Sequence, residues 1–171
     1  MMQPVSGKER AALLSWLGDH RAHVLGVLAG LPEEGLRRPV LPSGWTCLGL
    51  VRHLAVDVER FWFRGVAAGE AIDFYDSTGW EPSPDEPAGA VFELYRQEIE
   101  RADAILAVID LDAPPVTWPE YFPGWHLDDV REIILHVIGE TAVHAGHLDA
   151  ARELIDGRTW LGPPGSRVPR D

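Results

Sequence analysis

One cysteine and one lysine, Cys47 and Lys8, stand in the whole chain, and no apolar run approaches the roughly 20 residues a membrane-crossing helix needs. A single thiol excludes an intramolecular disulfide and any zinc knuckle built from several cysteines, and it fits a reducing compartment. Cys47 lies just inside a helix with no identifiable partner, so it reads as small core filler rather than a nucleophile. The first residues, MMQPVSGKER, lack the apolar core of a secretory signal, and the sequence predicts a soluble, cytoplasmic protein with no membrane partner. Basic charge is scarce too: 15 Lys and Arg against 27 Asp and Glu give a net charge of −12. No basic cluster exceeds Arg37-Arg38, which reads as a solvated loop, so the footprint of a nucleic-acid partner is missing. Strand alternation, internal repeats and low-complexity tracts are absent as well.

What is present is helical period. The 171 residues, 46% hydrophobic and 25% charged, have the makings of one compact domain. Residues 8–29 carry Leu13, Leu17, Val24 and Leu28 at helical spacing. Thr46 is placed to cap a second helix that runs to about 67, with Leu50, Leu54, Val58 and Phe61 on its apolar side. The stretch GEAIDFYDSTGWEPSPDEPAG breaks every period, and Phe74, Tyr75 and Trp80 make it an ordered loop. A third helix is expected over 88–110, with Val91, Leu94, Tyr95, Ala102, Ile105 and Ile109 inward. A fourth spans 127–156 and is closed by Gly157, with Val130, Ile133, Ile134, Val137, Ile138, Leu148 and Ile155 as its stripe. The fold class is therefore all-α, a four-helix bundle over residues 1–157, followed by a loosely attached Pro/Gly/Arg-rich tail over 158–171. The long links imply at least one crossover connection.

The segment ETAVHAGHLDAARE, residues 140–153, adds chemistry to that stripe. At about 100° per residue, His144 lies about 20° from Val137 and points into the bundle, with Glu140 and His147 bordering the same side. Glu140 and His144, four apart, can offer two ligands to one ion from a single helix. On helix two, His53 lies on a polar strip with Thr46, Gly49, Asp57 and Arg60. A histidine there plus Glu140 and His144 gives three ligands with open positions, the arrangement of a catalytic metal. The residues alone equally allow histidines that are simply hydrogen-bonded in the core. Packing or solvation suffices for His20, His23 and His136, and His126 reads as a helix-start residue. Trp62, Trp118 and Trp125 read as hydrophobic closure.

PSGWTCLGLVRHLAVDVERFW, followed some ninety residues later by LHVIGETAVHAGHLDAARELIDG, resembles the DinB-like superfamily. The branch is the one near mycothiol-dependent maleylpyruvate isomerase and mycothiol S-transferases, and the resemblance covers about residues 8–157. It implies an up-down-down-up bundle holding a divalent metal on three side chains, commonly zinc, with nickel or iron(II) compatible. The family's helix-two histidine matches His53, and the isomerase branch, which places glutamate first on helix four, matches Glu140 and His144. His147 falls where many relatives carry glutamine, as a pocket residue or a competing ligand.

The function this implies is a metal-dependent transferase or isomerase using a low-molecular-weight thiol such as mycothiol, the metal presenting it as thiolate to an electrophile. His147 would shuttle a proton, and Arg52 or Arg60 would receive an anionic substrate. The chain is expected to pair as a homodimer. A non-catalytic metal-binding protein of stress response, a structural helical module and a non-haem iron enzyme are the competing readings.

Overall fold

The computed structural model describes residues 6–73, 81–120 and 122–160. Phe74, Tyr75 and Trp80, on which the expectation of an ordered loop rested, lie outside the described residues. Five helices run through the described residues: α1 (Ser6–Val27), the short α2 (Glu33–Leu36), α3 (Cys47–Ala67), α4 (Ala88–Leu106) and α5 (Val130–Asp156). α2 was not anticipated, since four residues show no period. No described helix is long and apolar enough to cross a membrane.

Each long helix starts and stops for a local reason. The Thr46 hydroxyl accepts from Gly49 N at 3.0 Å and is itself gripped by Glu81, 2.8 Å from Oε2. Asp129 caps α5 by accepting from Glu132 N at 2.9 Å, which starts the helix three residues later than the sequence suggested and leaves His126 in the preceding loop. Gly157, in the left-handed region at φ 74°, ends α5 as expected.

α3 changes winding partway. Cys47–His53 is α-helical and Leu54–Ala67 is π-helical, with Ala68 N bonding back five residues to Phe63 O at 3.0 Å. A π-helix takes about 4.4 residues per turn, or roughly 82° per residue, against 100° in an α-helix. The consequences appear at the functional site.

Cross-links fix the helix directions. Glu9 joins Arg131 at 2.6 Å near the starts of α1 and α5, while Arg152 donates to Val27 O at 2.8 Å near their ends, so the two run parallel. Arg10, early in α1, donates to Ile109 O just past the end of α4 at 2.6 Å, making α4 antiparallel to α1. α3 runs against α5, since His53 meets His144 while Trp62 meets His136. The order is up-down-down-up.

Between the helices most of the predicted stripes close: Leu17, Val24, Leu50, Leu54, Val91, Tyr95, Ile133, Ile134, Val137 and Leu148 are buried, Leu13, Leu94, Ile138 and Ile155 are partly buried, and Ile109 falls beyond α4, which ends at Leu106 rather than at 110. Burying each of the larger aliphatic side chains contributes roughly 1.5–3 kcal/mol. Arg37-Arg38 departs from expectation. Arg37 bonds Glu33 and Glu86 O, and Arg38 reaches Leu154 O at 3.2 Å, a cation at the carbonyl end of α5. At the tail, Trp160 folds back to stack on His23 at 4.1 Å between ring centroids.

A second, polar layer threads the core between α1, α3 and α4. Arg21 makes a two-pronged ion pair with Glu59, at 2.7 and 2.6 Å, and bonds Asp103 at 2.7 Å. Glu98, fully buried, accepts from Arg60 at 2.9 Å and from Arg64 at 3.0 Å. Burial alone pushes a carboxyl up, but hydrogen bonds from Arg60 and Arg64 outweigh it and hold Glu98 below its ordinary range. A depressed folded pKa gives stability that is present above the unfolded value, about 4.3, and lost as pH falls through the folded one. Glu98→Gln should therefore lower stability at pH 7 and flatten the acid limb of denaturant-derived stability below about pH 4. A variant that keeps the wild-type acid limb would refute this.

Candidate metal centre

α5 sets Glu140 and His144 one turn apart, and α3 sets His53 where its α-helical half ends. One potential ligand atom from each of these three residues lies within 4.8 Å of the other two. His144 Nε2 is 3.5 Å from Glu140 Oε2, and the His53 and His144 rings meet edge-on at 5.0 Å between centroids. The His144 side chain is 11% exposed and that of Glu140 41%, so the group opens to solvent on the carboxylate side.

The electrostatics favour ligation. Burial pushes His144 down to about 4, and neighbouring His53 pushes it the same way, so its imidazole is neutral at pH 7 with a lone pair to give. His53 Nδ1 lies 2.8 Å from Asp57 Oδ2. A carboxylate there holds the proton on Nδ1 and turns Nε2 outward as a donor, the arrangement that orients metal-binding histidines. Two imidazoles and one carboxylate form a donor set suited to zinc or to iron(II).

The other expected site residues fall differently. His147 is exposed at the mouth, 5.6 Å from the His144 ring and 6.0 Å from Trp45. Arg60 does not stay on the strip of His53. On an α-helical wheel the seven steps from one to the other return to about the same side, whereas at roughly 82° per step they end far round the helix. Arg60 accordingly turns to α4 and donates to Glu98. Trp62, nine residues after His53, comes round to His53's side by the same winding. There it meets His136, one turn before Glu140, edge-on at 4.6 Å. Cys47 is buried and its thiol is pushed up to about 11 by burial, which fits core filler. The role of Asp57 was missed in the sequence, although the i, i+4 spacing His53–Asp57 carried it.

An up-down-down-up helical bundle with a His-Glu-His group able to hold a metal is a DinB-like bundle. Within that class the chain belongs to the mycothiol-S-transferase family, which it matches over residues 12–157. No curated protein matches it significantly, and no solved structure does.

Proposed function

We propose that the protein transfers a low-molecular-weight thiol, mycothiol by its family, to an electrophilic carbon at a divalent metal, zinc in first place, held by His53, Glu140 and His144. The observation that carries the reading is the convergence of these three side chains within 4.8 Å in a chain of this family. When bound, the metal supplies a position that holds a thiol as thiolate at pH 7, where a free thiol of pKa about 8.5 is only a few per cent ionised.

The chain's own residues do the rest. Asp57 keeps the His53 ring in one tautomer and orientation. Glu140 contributes a negative charge that offsets part of the ion's. His147, exposed beside His144, takes the proton the thiol gives up. In transfer, the sulfur lone pair forms the new carbon–sulfur bond and the leaving group departs with the electrons of the bond it breaks. In the isomerase variant, the thiol adds across a double bond and is expelled again, unconsumed. Arg60, held by Glu98, takes no part.

The test uses the cobalt(II) form. Mycothiol added at pH 7 should produce a thiolate-to-metal charge-transfer band and release about one proton per site. Depletion of the thiol by an electrophile should follow. An unchanged cobalt spectrum, with the metal still removable by a chelator, would replace this reading with a passive metal-binding protein. Oxygen consumption with iron(II) and an oxo-acid would replace it with a non-haem iron enzyme.

A further inference from the structure

The face of α5 that carries Glu140 and His144 continues one turn toward the N-terminus to His136, and the π-wound half of α3 brings Trp62 opposite it. The antiparallel helices thus present two adjacent rungs, His53 with Glu140 and His144, then Trp62 with His136. The second rung is ringed by the link between α4 and α5. Phe122 lies nearly parallel to Trp62, at 10° and 5.9 Å. Trp118 is 6.0 Å from Trp62, and Trp125 is 5.4 Å from His136.

The link is pinned along its course. Val130 N bonds Ala113 O at 3.0 Å, and Thr117 N bonds Val66 O at 3.2 Å at the end of α3. Beside that bond, Gly69 has φ 68°, and a Cβ there would come 2.3 Å from Val116 Cγ1, so a side chain would push the link away. Trp118 is therefore held against Trp62 by backbone contacts on either side. Trp125, by contrast, is 41% exposed, an indole standing at the rim of the cluster beside His136.

Resting on the thiol-transfer reading, we propose that this ring cluster seats the electrophile, and that its substrate class is planar and apolar, with Trp125 as the specificity-determining residue. Aromatic faces recognise either a flat apolar group or a cation. Glu140, a carboxylate whose charge acts on His136, belongs to the metal rung. A cation would lie next to a divalent ion and be repelled. A flat neutral ring meets no such penalty, and seated against Trp125 it would present its reactive carbon toward Glu140 and His144.

The experiment compares two chlorides that a thiolate displaces by the same chemistry. One is monochlorobimane, planar and bicyclic, and the other is chloroacetamide, which has no ring. In both, a carbon–sulfur bond forms, chloride leaves with the bonding pair, and the thiol proton passes to a base. With the zinc-loaded full chain and mycothiol, Trp125→Ala should lower the ratio of kcat/KM for the bimane over chloroacetamide about tenfold, mainly through KM. Trp125→Phe should restore most of the ratio, and metal content should match wild type in both variants. An unchanged ratio in Trp125→Ala would overturn the proposal. If wild type turns over neither chloride, the thiol-transfer reading fails by itself. The seat is then judged by equilibrium binding of unreactive syn-dimethylbimane, whose affinity should fall about tenfold in Trp125→Ala. Absent or unaltered binding would overturn it.

Discussion

His144→Ala should abolish metal binding while leaving a helical protein. Wild type purified without chelator or metal-affinity resin should carry about one divalent ion per chain by elemental analysis, and the variant none. The loss should be complete because His144 is the most enclosed of the three donors, and without it one imidazole and a half-exposed carboxylate remain on different helices. The helices should persist in circular dichroism, since the apolar stripes of α1, α3, α4 and α5 pack without any ion. Asp57→Asn should give a graded result, about 10–100-fold weaker affinity, because it loosens the His53 ring without removing a donor. Equal metal in wild type and His144→Ala would remove this site from consideration.

Arg21→Met should cost about 3–5 kcal/mol of stability, because it strands Glu59 as an uncompensated charge in the core. Both partners are almost inaccessible, at 5% and 1% exposure. Burial pushes the Glu59 carboxyl up, and Arg21 is the group that opposes it. For a chain of this size that loss corresponds to a fall in Tm of about 10 °C. Replacing both residues by apolar ones of similar volume, Arg21→Met with Glu59→Leu, should recover much of it, since the desolvation of two charges is then relieved together. A single variant within 1 kcal/mol of wild type in urea unfolding would show that the pair contributes little.

Much of this was legible beforehand, for identifiable reasons. α5 is α-helical throughout, so a wheel of 100° per residue placed Glu140 and His144 correctly against the stripe of Val137 and Leu148. Arg21 was legible and overlooked: it sits on the Leu17–Val24–Leu28 stripe, where a charge must find a buried partner. Arg37 and Arg38 looked solvated because their acceptors, backbone carbonyls of distant segments, leave no mark in sequence.

The sequence by itself determined the helical class, the approximate spans and most of the apolar stripes of four helices, and the residue types that gather at His53, Glu140 and His144. These follow from local period, capping and side-chain chemistry, which act within a few residues of each other. Only the tertiary structure decided the winding of α3, and with it which of Arg60 and Trp62 faces the site. A π-helix pairs residue i with i+5 at little local advantage, so it is selected by what the wider helix can satisfy around it: Glu59 on Arg21, Arg60 on Glu98 and Trp62 on His136. Those partners come from α1, α4 and α5, and no window of sequence around Leu54–Ala67 contains them.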